Sequence, residues 1–443
     1  METRIIGIDL AVKAAHRGAV LDQGTNSLVG GLFEFRSYPA HLDRVLARAR
    51  IGASADVEVK AVLEATGMAW YPVGTYLDRH GVTVYRVNGQ KTADLRKLYN
   101  PHSKNDRLDA RVLTRLPLVT PESLDRLWIP TGEQQALQRA CREVEQLTEL
   151  VAAGKNRVQA IDDWAWLGWP LDAPYGPRAR WLRRQWYNPW RVCSAGAEAI
   201  ADAWRKAHRH YQGDLDWLDT LLQRAEQVTE LYGNPQQVAY ERLQAYVTRQ
   251  QERWQRFAAA RHRLRLERVR PLYRRLCPHR HLESLRGVGQ DSAAVYVAFI
   301  GDVRRFPSLR HFRGWSGLVP YSRQSGQREA SGLHITQAGP DLIKTTAYRN
   351  AEVARQWDPQ IAAIYHRQMM SYGKHHKQAV CACATHLLNR IYALLRDQRP
   401  YELRDTDGTP VSKRRARQIC LTRYQVPDHV RRRNNHNANQ RRR

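Results

Sequence analysis

A chain of 443 residues has room for two or three domains of roughly 100–200 residues each, and a hydrophobic fraction of 42% excludes a disordered chain. Lys and Arg outnumber Asp and Glu by 71 to 43, a formal net charge of +28. Such a surplus points to a polyanionic partner without saying what is done to it. Six cysteines without a CxxC pair argue against a secreted disulfide framework and for a reducing cytosol. The N-terminus lacks a signal pattern, and no apolar run approaches the roughly 20 residues that span a bilayer. A soluble, cytoplasmic protein with no membrane partner is expected.

Residues 1–120 alternate in the α/β manner. Residues 4–10 read as a strand, 18–21 open a second that runs to the turn at Gly30 and Gly31, and 41–49 are helical in pattern. A strand over 57–63, a helix over 70–80, a strand over 82–87 and a helix over 106–115 follow. The expected fold is α/β, a sheet with helices against it, joined to an all-α remainder. Residues 133–161 and about 214–276 predict two long helices, the arms of an antiparallel hairpin or coiled coil. Between them, residues 162–213 break the pattern with prolines and a cluster of tryptophans. Residues 280–400 read as compact and mostly helical. The stretch 401–443 reads as a basic, disordered tail, with eleven Lys or Arg against one Asp from 411 onward.

Four acids in the first part stand out. Asp9 closes the first apolar strand, in GIDLAVKAAH, and Glu64 closes the third, in AVLEATG. Asp106 and Asp109, in SKNDRLDAR, lie three residues apart and so share a helix face. Singly, a strand-end Asp reads as a cap, and a DxxD pair on a basic helix as a solvated ion-pairing face. Together they are able to converge at a sheet edge, where carboxylates stay ionised only if cations neutralise them. Hard oxygen ligands select Mg2+, or Mn2+. Two such ions about 3.5–4 Å apart stabilise both the attacking and the leaving oxygen of a phosphoryl transfer.

In order and spacing, GIDLAVKAAHRGAVLD, VLEATGMAWYPVGTYLDRHG and SKNDRLDARVLTRL resemble the N-terminal domain of the DEDD transposases of the insertion sequence 110 family, also called bridge recombinases. The resemblance implies a ribonuclease-H-like, RuvC-like domain over residues 1–125. It also implies that Asp9, Glu64, Asp106 and Asp109 are its catalytic, metal-binding acids. A helical hairpin over 131–278 and a C-terminal transposase domain over 280–400 would follow. Residues 162–213, where the resemblance fails, look like an insertion.

Residues 282–349 resemble the second domain of that family. Gly287-Val288-Gly289 ahead of a helix looks like a helix–hairpin–helix element, whose glycines let backbone amides approach a phosphate. An ordinary helix-joining turn is the simpler reading of those residues alone. In GLVPYSRQSGQ the resemblance places a nucleophilic serine at Ser325, with Ser322 and Ser331 as rivals, because Gln324-Ser325-Gly326-Gln327 stands where the commoner form has Ser-Ser-Gly-Gly. A phosphodiester to serine keeps the bond energy, so strands are resealed without ATP. Arg323 and Arg328 are candidates to steady the phosphate. Lys104, Arg107, Gly287 and Gly289 complete the candidate nucleic-acid contacts.

The resemblance further implies donor and target DNA as partners, a structured noncoding bridge RNA that pairs with both, a tetrameric assembly, and residence in the prokaryotic cytosol beside the nucleoid. Two other readings stand beside it: a junction nuclease or DNA invertase on the same scaffold, and a non-catalytic nucleic-acid-binding protein. Cys381 and Cys383, with His375, His376 and His386 near, read as structural, since a CxC on a helix splays its sulfurs. Trp164, Trp166, Trp169, Trp181, Trp186 and Trp190 are placed in a small core ahead of stacking on unpaired bases. Tyr372 lacks the arginine–histidine framework of a tyrosine recombinase.

Overall fold

The computed structural model describes residues 2–64, 67–87, 89–99, 106–121, 124–210, 213–320, 324–325, 328–329, 334–336 and 338–440. The chain forms two compact units, one of residues 1–131 and 302–312, the other of residues 132–301 and 313–443.

The first unit is built on a six-stranded sheet: β1 (Thr3–Asp9), β2 (His16–Asp22), β3 (Ser27–Leu28), β4 (Phe33–Phe35), β5 (Glu58–Glu64) and β6 (Thr83–Val87). The order is β3-β2-β1-β5-β6, with β4 also on β2. β1 is antiparallel to β2 and parallel to β5, and β5 is parallel to β6. Every β1 residue but Asp9 is buried, as expected of a central strand covered on both faces. Alternation divides the two covers. Ile6, Ile8, Ala61 and Leu63 share a core with α1 (Pro39–Ala49) and α2 (Trp70–Arg79). Ile5, Val62 and Val87 share another with Leu95 of α3 (Gly89–Tyr99) and with Val112, Leu113 and Leu116 of α4 (Asp106–Val119). α3 was not expected from the sequence.

Residues 302–312 also belong to this unit. After a 3-10 turn (Val303–Arg305), the Arg305 guanidinium lies 5.1 Å from the centre of the Trp128 ring and 4.2 Å from that of Phe306. Burial pushes Arg305 down to about 10, against the opposing pull of Asp125.

The second unit is helical. Its frame is α5 (Gly132–Ala165), of 34 residues, followed by α6 (Pro177–Gln185), α7 (Pro189–Ala207), α8 (Trp217–Tyr232) and α9 (Tyr240–Leu264). A π-helical turn (Arg265–Val269) continues α9 into α10 (Arg270–Leu276). Glu133 meets Arg275, Thr148 meets Arg261, and Trp254 lies over Gly154, so α5 and the α9–α10 arm run antiparallel. The second arm is broken, however. Gly233, at φ 63°, ends α8 in a left-handed cap, and residues 234–239 intervene before α9.

Of the six tryptophans between 164 and 190, Trp166 is buried in a core, Trp169, Trp181, Trp186 and Trp190 pack against it partly buried, and Trp164 is exposed. Trp166, Trp204 and Trp217 are buried with Tyr187 and Tyr240. An ion pair lies within it: Arg183 donates to Asp162 at 2.5 Å, both side chains 1% exposed, and the Tyr187 hydroxyl donates to the same carboxylate at 2.9 Å. Residues 162–240 are thus a folded module seated on the hairpin.

Beyond it come α11 (Gln290–Ile300), α12 (Leu309–Ser316), a short ladder of β7 (Gln324–Ser325) with β8 (Arg328–Glu329), then α13 (Asp341–Ala354), α14 (Pro359–Met370) and α15 (His376–Asp397). Cys383 is buried and its thiol donates to the Ile361 carbonyl at 3.6 Å. The expectation of a disordered tail is corrected: α16 (Lys413–Arg423) and α17 (Asp428–Gln440) are formed there. Ala416, Ile419, Cys420, Val426 and Val430 supply a buried stripe, and the Asn434 amide donates to the Met369 carbonyl at 2.8 Å. Charge composition hides so sparse a stripe. Among the described residues no helix is long and apolar enough to cross a membrane.

Candidate active site

Ile8 pairs with Leu63 across the parallel β1–β5 ladder, so Asp9 and Glu64 follow side by side at the carboxyl ends of neighbouring strands. Asp9 shares the parity of Ile5, and Glu64 that of Val62, so both carboxylates fall on the face that α4 covers. Both are half-buried.

Gly7 fixes how closely that helix approaches. A Cβ on Gly7 would lie 2.2 Å from the Ala110 carbonyl oxygen and 2.7 Å from the Thr114 nitrogen, so α4 rests on bare strand backbone. Ile5 shares its cluster with Leu113 and Leu116, further along the helix. Helix and strand therefore run in opposite senses, and the amino-terminal end of α4 lies toward Asp9. Asp109, next to Ala110, is 9% exposed. Asp106 is the first residue of α4; its side chain, like that of Arg107, lies outside the described residues, and so does Lys104. Gly89, at the start of α3, makes room for the second acid: a Cβ there would lie 2.8 Å from Glu64 Oε1. Among the described residues no group of three or more His, Cys, Asp or Glu is gathered closely enough to hold a metal ion. What is assembled is the frame: two strand-end acids in register, and one helix end carrying the other two.

His16 sequence reasoning passed over. It is buried behind the loop that leaves Asp9, where Nδ1 accepts from the Ala11 amide at 3.1 Å and Nε2 faces Ser37 Oγ at 2.8 Å. Burial, then the Arg36 charge, lowers its pKa below the ordinary 6.5. A base held below its unfolded value favours the neutral ring. Its contribution to stability is whole above about pH 6.5 and is lost as the pH falls through that value toward the folded one. The melting temperature is expected to fall on acidification from about pH 8 to about pH 5.5, and His16→Asn, which keeps an acceptor but cannot titrate, to flatten part of that fall. Parallel melting curves for the two proteins, identical in slope, would contradict this.

Ser325 lies in β7, opposite Arg328 of β8. The side chains of both, and Ser322, Arg323 and Ser331 altogether, lie outside the described residues. Gly317 and Gly339 sit at φ 71° and 70°. A Cβ on Gly317 would fall 1.9 Å from the Ala338 carbonyl oxygen, and one on Gly339 1.9 Å from that of Trp315. Two glycines thus pinch the neck, and the Thr336 amide donates to the Val319 carbonyl above it at 2.9 Å.

Gly287 has a packing explanation. At φ 85°, its Cβ position lies 2.4 Å from the Asn350 carbonyl oxygen of α13. Gly289 precedes α11 with open space beside it, and Asp291, in the first turn, already complements the helix dipole. Arg270 holds Asp291 at 2.9 Å.

Comparison with known proteins gives the class first. A family model described as a transposase matches residues 6–161, and a second, described as the transposase IS116/IS110/IS902 family, matches residues 279–366. The uncharacterized 43.6 kDa protein of insertion element IS110 from Streptomyces coelicolor is 32% identical over 131 residues, 30% of this chain and 32% of that protein. The uncharacterized 42 kDa protein of insertion element IS900 from Mycobacterium paratuberculosis is 35% identical over 127 residues, 28% and 31% of the two. A pilin gene-inverting protein of Moraxella lacunata is 26% identical over 123 residues, 28% and 38% of the two. The chain thus spans about a third of the length of the curated relatives it matches. In both matched stretches it is similar to the IS110 family of transposases.

Proposed function

We propose that this chain cuts and rejoins DNA strands through a metal-dependent acid site and a serine nucleophile, as a transposase. The first unit is read as a ribonuclease-H-like, RuvC-like catalytic domain, a reading supported by its three antiparallel strands continued by two parallel ones. The observation that carries the proposal is the register of Asp9 with Glu64 on the face where α4 brings Asp109.

An all-carboxylate donor set suits a hard divalent cation, and the bare backbone of Gly7 and Gly89 lets α4 and the Glu64 carboxylate come close. Asp9, Glu64, Asp106 and Asp109 would hold Mg2+, or Mn2+. The ion, when bound, supplies positive charge against the oxygens that become more negative as phosphorus is attacked. Ser325 Oγ forms the new bond to phosphorus while a deoxyribose oxygen leaves, and the serine proton passes to a carboxylate or to water. Attack by a DNA hydroxyl on the phosphoserine reverses those bond changes and restores serine. The charge of +28 supports binding of donor and target DNA, with affinity falling steeply as salt rises. Guidance by a bridge RNA that pairs with both DNAs, assembly as a tetramer, and residence in the cytosol are what the family resemblance adds.

The experiment is a trap. The protein is incubated with Mg2+, DNA carrying the ends of the element and RNA transcribed beside its gene, then denatured, and covalent protein–DNA product is measured. Intact protein is expected to give an adduct whose mapped residue is Ser325, and Ser325→Ala to give none. An adduct that persists in Ser325→Ala would refute the serine assignment, and mapping to Ser322 or Ser331 would relocate it. Strand cutting that survives Ser325→Ala with no adduct would favour the junction nuclease. The likeness to a pilin gene-inverting protein favours a second reading, inversion between two sites of one molecule by the same chemistry. A substrate with two inverted sites tests it.

A further inference from the structure

The tryptophan-rich module holds a cleft that the reaction above does not use. It is lined by Arg180, Trp181 and Arg184 of α6, His208, and Gln251 and Trp254 of α9, among others, and its volume is about 530 Å3. That lies within the roughly 300–1,000 Å3 of small-ligand sites. All of these residues fall between the two stretches that match the transposase family.

Its walls are aromatic and its rim is cationic. Trp181 is only partly buried, and its ring is braced edge-on by Trp204, 5.1 Å between centres at 79°. Trp254 is 6% exposed and packs at its base over Gly154. Arg180 is half-buried and forms no ion pair among the described residues. The exposed Arg184 guanidinium meets Glu252 at 3.3 Å. Gln251 is 1% exposed; its Nε2 donates to the Arg180 carbonyl at 3.1 Å, while Oε1 has no hydrogen-bond partner. A buried acceptor left unpaired is costly unless a ligand meets it.

We infer that this cleft binds an unpaired nucleotide of a single-stranded nucleic acid. The base stacks against Trp181, an N–H on its edge donates to Gln251 Oε1, and Arg180 and Arg184 take the flanking phosphates. Flat aromatic surface selects bases whose faces are free, so a duplex, whose bases are already stacked, is excluded. An acidic peptide would satisfy the arginines and leave the ring face and the buried acceptor unused. The inference does not rest on the strand-transfer reading, because none of these residues belongs to the acid site or the serine hairpin.

The test uses the full chain and fluorescently labelled oligouridine, oligothymidine and a duplex of equal length, with affinity read by anisotropy. Arg180→Glu is expected to weaken binding of at least one single strand about tenfold, and to lower the slope of its log affinity against log salt by about 1, with duplex affinity unchanged. The strand that responds identifies RNA or DNA as the source. A strand bearing 5-iodouracil, photocrosslinked to the unaltered protein, should join Trp181 or Trp254. Equal losses for strands and duplex would reduce the cleft to a generic basic surface and overturn the proposal. So would unchanged binding of both single strands, or a crosslink confined to residues outside the cleft. Melting curves show whether Arg180→Glu is folded. If it is not, Gln255→Glu at the same cleft replaces it, under the same expectations.

Discussion

Asp9→Asn is expected to reduce DNA strand cutting by about a hundred- to a thousandfold, the scale at which loss of one electrostatic stabiliser is felt in an active site, while the protein stays folded. The second half of that expectation is the more discriminating. Asp9 ends a strand whose other six residues are buried, and amide for carboxylate at one half-buried position removes repulsion from Glu64 beside it without touching the core. In the absence of divalent ions the variant should melt at the same temperature as the intact protein or above it. Added Mg2+ should raise the melting temperature of the intact protein, because a ligand that binds only the folded state stabilises it by mass action. It should do much less for Asp9→Asn. A variant that cuts DNA at the original rate would remove Asp9 from the chemistry. Equal responses to Mg2+ would remove the ion from the acids.

Gly7→Ala should do comparable damage without altering any acid. The added carbon would lie 2.2 Å from the Ala110 carbonyl oxygen, and that oxygen belongs to a helix backbone that cannot turn aside as a side chain can. α4 must lift from the sheet, at a cost of about 1–3 kcal/mol or more for an overpacked contact, and Asp106 and Asp109 leave with it. Cutting should fall to the level of Asp9→Asn, but here together with a lower melting temperature. Gly31→Ala is the control: its Cβ would meet nothing within 4 Å, and a change within about 0.5 kcal/mol is expected. If Gly7→Ala keeps full activity, α4 does not position the acids.

How much of this could be read in the sequence depends on what kind of contact each feature makes. β1, β5 and the helices of the sheet announce themselves through local periodicity, and Asp9 and Glu64 through their place at the ends of apolar runs. α3 did not, because GQKTADLRKLY carries few apolar positions and begins on a glycine. The C-terminal helices were hidden by arginine, which dominates composition while a few buried residues decide the structure. Gly7, Gly89 and Gly317 were invisible for a different reason. A glycine chosen for close approach has meaning only once the backbone or carboxylate opposite it is known, and for Gly7 that partner stands more than a hundred positions away.

The placement of residues 302–312 bears on how the molecule is made. A ribosome delivers the sheet early, yet the segment that sets Arg305 over Trp128 emerges only after the whole hairpin and its tryptophan module have been synthesised. Until then the nascent first unit waits with an aromatic surface uncovered, a state in which chaperones have something to hold. A gene fragment that stops at the end of the acid-bearing region encodes every metal ligand proposed here and still lacks a piece of its own domain.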